Sequence, residues 1–314
     1  MQHATFRQLE VFLTVARQGS FTRAAESLGL SQPTVSMQIK KLSDEVGLAL
    51  FESHGKGMQL TEAGRALEAT CREIFDALDR FAMTVTNLQG LRAGSLKLAI
   101  VNTAKYIIPL ILGAFCQRYP DIDAQIEITD RERLLTRLVE HRDDLYIVSQ
   151  PPQRDDVKSV AFMANPLVIV APMDHPLTRR ALISPGVIAQ EPFLLREQGS
   201  GTRRAVERFF QSRGFALKVR MTLANNEGIK QAVIGGLGIA ALSRHALGND
   251  LALGQLAILD VKGFPLKEQW YALAPAHRPL SVVAESFLSF LQTEGEIIVR
   301  DKLNPSVPVS RRLA

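Results

Sequence analysis

The chain has 314 residues, 46% of them hydrophobic and 22% charged, with a formal net charge of +5. Two cysteines exclude a disulfide-stapled scaffold. No apolar run approaches about 18 residues, so neither a leader peptide nor a membrane span is expected.

In chain order, the first informative stretch runs from Phe21 to Leu42 and reads as two short helices joined by a tight turn. Ala24, Ala25 and Leu28 give the first helix an apolar face, and the small alanines let the pair cross closely. Gly29 supplies the turn, and Val35, Ile39 and Leu42 repeat at helical spacing in the second helix. Ser31 is a candidate N-cap, and Pro33 stands near the first helical turn, where a missing N–H costs little. The outward face then carries Gln32, Thr34, Ser36, Gln38 and Lys40. These side chains suit base edges and phosphates if the helix N-terminus enters a major groove. An ordinary helical hairpin with a solvated face is the alternative. Glu45-Val46-Gly47 ends the helix, and residues 50–61 read as two extended pieces around a Gly55-Lys56-Gly57 turn. The whole is a winged helix-turn-helix over residues 1–59, with Lys56 as the wing's cation.

Residues 1–65 hold seven Lys or Arg against six Asp or Glu, a net of +1, so no broad basic patch is available. Tight DNA binding then needs a few placed cations and two or more reading heads. From Leu60 to Leu88 the apolar positions Leu60, Ala63, Leu67, Ile74, Ala77, Phe81, Val85 and Leu88 recur in steps of three and four, with Thr70 in the same series and no proline. A helix of about 29 residues at roughly 1.5 Å each reaches about 43 Å, too long to bury against so small a head. Its seam is therefore expected to pair with a second copy, making residues 60–89 a dimerisation linker, with core packing in one chain as the alternative. Gly90 and Ala93-Gly94-Ser95 make a hinge.

Beyond the hinge, residues 90–300 alternate strands and helices. Strands are expected at 96–101, 124–128, 144–148, 160–162, 167–171, 193–195, 219–223, 239–241 and 270–274. Helices are expected at 104–118, broken early by Pro109, and at 131–141, 201–213, 227–235 and 281–294. Residues 301–314 read as a mobile tail with Arg311 and Arg312. Three segments follow strands or open helices in the way of anion cradles: Asn102-Thr103-Ala104-Lys105, Gln198 to Arg204, and Asn225-Asn226-Glu227-Gly228. Asn102, Thr103, Lys105, Ser200, Thr202, Arg203 and Glu227, with Arg131 and Gln150, form a candidate site for a small anionic metabolite; ordinary helix caps are the alternative for each segment. No phosphate-binding loop, dinucleotide fingerprint, nucleophile elbow or metal-ligand spacing occurs, so no enzyme, cofactor or metal is expected.

The run from Phe6-Arg7-Gln8-Leu9 to Leu60-Thr61-Glu62-Ala63-Gly64, with Ser31-Gln32-Pro33-Thr34-Val35-Ser36 inside it, resembles the DNA-binding domain of LysR-type transcriptional regulators. Ser53 and Met37 stand where many relatives carry arginine. The resemblance therefore implies less minor-groove reading by the wing, and a methionine offered to a thymine methyl. The Pro172 to Leu177 turn and Gly235-Gly236-Leu237-Gly238 resemble the family's effector domain, built like a periplasmic solute-binding protein. That likeness implies one lobe of about 95–162 plus 267–296 and another of about 163–266. Asn102 to Tyr106, Gly113 to Cys116 and Leu145 to Val148 are most similar to CbbR-type regulators of carbon-fixation operons, which respond to phosphorylated sugars or NADPH. The resemblance implies a cytoplasmic homotetramer that bends double-stranded promoter DNA and contacts RNA polymerase. The rival reading is a solute-binding or enzyme domain whose N-terminal helices serve protein contacts.

Overall fold

A computed structural model describes residues 4–54, 57–89 and 94–303. Lys56, the hinge residues 90–93 and the tail beyond 303 lie outside the described residues. The chain divides into two compact units, Met1–Val85 and Thr86–Ala314.

The first unit begins with α1 (Phe6–Gln18), closed at its start by a capping box between Thr5 and Gln8. Next come α2 (Phe21–Leu28) and α3 (Gln32–Val46), separated by Gly29 in the left-handed conformation at φ 64°. The Ser31 hydroxyl accepts from Thr34 N–H at 3.3 Å, and Pro33 lies in the first turn. Strands β1 (Phe51–His54) and β2 (Gly57–Leu60) pair antiparallel, Phe51 opposite Leu60. Phe12, Val15, Ala24, Val35 and Leu42 are fully buried in one core.

Helix α4 (Glu62–Gln89) follows without a break. Its expected seam does two different jobs. Leu67 and Cys71 are buried in the core of their own unit, and Ala63, Ile74 and Phe75 pack against that core. Only further on do apolar side chains stand free, Leu78 and Phe81 among them, the latter 68% exposed. The near turns are thus core within one chain, because the three-helix head needs a lid for Phe12 and Leu42.

The second unit holds β3 (Gly94–Val101), α5 (Ile108–Arg118), β4 (Ile122–Thr129), α6 (Arg131–Val139), β5 (Leu145–Val148) and the long β6 (Val157–Pro172). Then come α7 (Pro185–Gln190), β7 (Phe193–Arg196), α8 (Gly201–Gln211), β8 (Val219–Leu223), α9 (Asn226–Ile234), β9 (Ile239–Ser243), α10 (Gly248–Ala252) and β10 (Leu256–Leu259). The unit closes with β11 (Leu266–Pro275), α11 (Val282–Thr293) and α12 (Gly295–Leu303). The sheet order is β4-β3-β5-β11-β6-β9-β7-β8, with β10 also on β6.

One lobe is built on β3 to β5, around Leu98, Ile111, Phe115, Trp270 and Phe287. The other is built on β7 to β9, with Phe193 and Phe210 on one face and Leu194 and Leu242 on the other. Strands β6 and β11 pair from Val157 opposite Pro275 to Leu167 opposite Leu266 and run through both lobes. The two strands expected at 160–162 and 167–171 are therefore one, and the expected lobe boundary at 162/163 falls inside it. Pro166 sits inside β6 and is tolerated because pairing of β6 with β9 starts only at Leu167. The helix expected from 104 begins instead as a 3-10 turn over Asn102–Tyr106, with α5 starting before Pro109. The helix expected to 141 stops at Val139, ahead of His141 at φ 52°. Short α7, α10 and β10 were not foreseen, and α12 carries the helix to Leu303 where a tail was expected from 301.

Candidate functional site

On the first unit, the cap at Ser31 and the buried Val35, Ile39 and Leu42 turn the opposite face of α3 outward. Ser31, Gln32, Pro33, Ser36, Met37 and Lys40 are exposed, while Thr34 and Gln38 are half-buried. Met37 is 50% exposed, an unsupported apolar side chain amid polar ones. The Thr34 hydroxyl lies 2.8 Å from that of Ser31, so the pair forms one polar unit at the helix start. Lys40 and Lys41 follow on the exposed side.

In the second unit an open cleft of about 380 Å³, part of it open to solvent, lies between the lobes. It gathers Asn102 and Thr103 after β3, Arg131 at the start of α6, Ser149 after β5, and Ser200, Gly201 and Thr202 at the start of α8. Five of the expected residues therefore meet: Asn102, Thr103, Arg131, Ser200 and Thr202. Lys105, Gln150, Arg203 and Glu227 do not line it. Lys105 lies over the Tyr106 ring at 5.2 Å, Gln150 donates to Glu268 at 3.3 Å, and Arg203 pairs with Glu207 at 2.7 Å. Glu227 accepts from the Tyr106 hydroxyl and from Lys230 at 3.0 Å, bridging the two lobes instead of facing a ligand.

Arg196 is the residue that sequence reasoning missed. It ends β7 and is only 4% exposed. Its guanidinium donates to Thr103 Oγ1 at 3.2 Å, to Asn226 Oδ1, and to both oxygens of Glu197 at 2.7 and 2.8 Å. Asn226 Nδ2 also donates to Thr103 Oγ1, at 3.1 Å. With two donors on its oxygen, the Thr103 hydroxyl keeps its own hydrogen for a third partner in the cleft. The only available signal was a lone arginine closing an apolar run, Phe193-Leu194-Leu195-Arg196.

The helix starts differ in a way spacing did not show. Asn225 caps α9 by accepting from Gly228 N–H at 2.7 Å, and Asp130 caps α6 by accepting from Arg133 N–H at 2.9 Å. Ser200 makes no such bond, so the first N–H groups of α8 are left to whatever enters the cleft. Arg131 donates to the Gln150 carbonyl at 2.5 Å, and burial, then the nearby Arg204, lowers its pKa to about 10. Arg204 Nε is itself buried without a partner. Asp130 and Glu197 also line the cleft, and Glu197 is taken by Arg196, so the anion-binding character rests on Arg131, which pairs with no carboxylate among the described residues, on the free N–H groups of α8 and on the Thr103 hydroxyl.

Residues 6–65 match the bacterial regulatory helix-turn-helix proteins of the lysR family, and residues 89–296 match the LysR substrate binding domain. The chain belongs to the LysR family of DNA-binding transcriptional regulators. It is 48% identical over 291 residues to the RuBisCO operon transcriptional regulator of Acidithiobacillus ferrooxidans, covering 93% of this chain and 94% of that one. It is 44% identical over 298 residues to the HTH-type transcriptional activator CmpR of Synechocystis sp., covering 95% and 98%. Among solved structures, the CcmR regulatory domain of Synechocystis PCC6803 in complex with 2-PG matches at TM-score 0.62 and 43% identity, over 64% of this chain and 97% of that one. Full-length CbnR complexed with its target DNA shares the fold at TM-score 0.63 and 18% identity, over 91% and 98%.

Proposed function

We propose that the protein regulates transcription of a carbon-fixation operon in the cytoplasm, in response to a small phosphorylated acid held in the inter-lobe cleft. The observation that carries the ligand class is the uncapped start of α8 facing Thr103, Arg196 and Arg131. 2-phosphoglycolate is the leading candidate, since the CcmR regulatory domain, solved in complex with 2-PG, is 43% identical over 64% of this chain.

Two copies join through the α4 turns that carry exposed Leu78 and Phe81 and present two α3 helices to a pseudo-palindromic promoter site. Gln32, Ser36, Met37 and Lys40 read bases and phosphates there, with Ser31, Pro33 and Thr34 shaping the helix start and half-buried Gln38 one turn further on. The apolar side chains left exposed on β4 and β8, Ile128, Val219 and Met221, support a further contact between effector units that completes a tetramer. Ligand entry shifts lobe closure, the angle between dimers, DNA bending and hence engagement of RNA polymerase.

The test pairs calorimetry with gel shifts on the promoter of the chain's own carbon-fixation operon. 2-phosphoglycolate binds, Thr202→Ala weakens that binding, and the ligand changes DNA mobility. Gln32→Ala with Ser36→Ala abolishes salt-sensitive promoter binding while leaving ligand binding intact. Promoter binding indifferent to that double substitution contradicts the reading of α3.

A further inference from the structure

A second pocket between the lobes shares no lining residue with the cleft. It encloses about 1510 Å³ including its open mouth, against about 380 Å³ in the cleft. Met163 and Pro166 of β6 line it, with Leu251 of α10 from one lobe and Val299 of α12 from the other. Arg244, His245 and Arg300 stand among these apolar side chains, and Glu296 adds one carboxylate. Arg244 is exposed and pairs with no carboxylate among the described residues, while Arg300 makes only a 3.4 Å contact with Asp301. A cavity of this size and mixed lining suits an organic molecule and not a bare ion.

We infer that this pocket is a second ligand site for a small organic anion with an apolar body, its acidic group on Arg244 and Arg300 and its body on Met163, Pro166, Leu251 and Val299. Because α10 and α12 belong to different lobes, such a ligand favours the lobe arrangement that keeps both walls within reach. It is therefore linked thermodynamically to the anion cleft.

The pocket has a built-in reporter. Trp270, the sole tryptophan, is fully buried and its indole N–H donates to His245 Nδ1 at 3.5 Å. Burial, then Arg244, lowers the His245 pKa to about 4, so near neutral pH the ring is an uncharged acceptor. The experiment titrates the full chain with octanoate, with phenyl phosphate and with uncharged octanol, following tryptophan emission and, on the same samples, heat by calorimetry. A saturable response to either anion is expected, weakened at least about tenfold by Arg244→Gln with Arg300→Gln and retained in Thr202→Ala. A response to octanoate alone identifies a carboxylate ligand; a response to phenyl phosphate alone identifies a phosphate. The proposal fails if neither anion gives a saturable signal, if octanol binds as well as octanoate, or if the double substitution changes nothing. Loss of the signal in Thr202→Ala also overturns it, since the binding then belongs to the cleft.

Discussion

Gly64, which ends the Leu60-Thr61-Glu62-Ala63-Gly64 run, stands where no side chain fits. A β-carbon built on it falls 2.1 Å from the Leu50 carbonyl oxygen and 2.9 Å from the Leu60 side chain, so any larger residue forces the wing strand off α4. Thr61 caps the same turn, accepting from Gly64 N–H at 3.0 Å and donating to the Ala49 carbonyl at 2.7 Å. Gly64→Ala is expected to cost about 1–3 kcal/mol of head stability, read in denaturant melts, with loss of DNA binding at growth temperature. His245 makes a second prediction at this scale. Its folded pKa of about 4 lies below the ordinary 6.5, so the stability it contributes is complete above about pH 6.5 and drains away as the pH falls toward 4. Urea melts should show an acid-side loss of up to about 3 kcal/mol, and His245→Gln should flatten it.

Among the elements, α4 divides its apolar series between two partners, and the two halves can be told apart. Leu67 is core to its own unit and Phe81 faces outward. Leu67→Glu should unfold the head, seen as lost helicity. Phe81→Glu should leave helicity intact and weaken self-association, seen in sedimentation velocity as a smaller species whose promoter affinity falls steeply because one reading head replaces two. Equal association of the Phe81→Glu and unsubstituted chains would refute pairing through the far turns. The crossing strands carry a similar lesson. Asn165 in the middle of β6 is buried and accepts from the Ser243 hydroxyl at 2.7 Å, so a polar break in the sequence is satisfied inside a continuous strand.

For the whole molecule, the proposed response depends on how far the lobes close. Gly201 opens α8 on one lobe and Ser149 follows β5 on the other, and a β-carbon on Gly201 falls 2.3 Å from Ser149 Oγ. Gly201→Ala should therefore hold the lobes apart, weakening anion binding by about tenfold, the effect of roughly 1.4 kcal/mol of strain. Adding Ser149→Gly should restore the affinity, which calorimetry can measure. Arg196, Asn226 and Thr103 form the other half of this closure, and Tyr106 on Glu227 extends it beyond the cleft.

What the sequence determined by itself was local: helices and turns set by period and caps, the outward polar face of α3, the alternating strands and helices, and the helix starts that could receive an anion. Each depends on residues a few positions apart, where geometry follows from spacing alone. What only the tertiary structure decided was partnership at a distance. Spacing could not show that Ser200 leaves its helix uncapped while Asn225 closes its own, or that Arg196 would be fastened to Thr103 across 93 positions. Nor could it show that Glu227 would be taken by Tyr106, or that α4 would spend its first turns on its own core. Those outcomes depend on which lobe meets which, and burial makes each polar group find whatever partner the packing brings within reach.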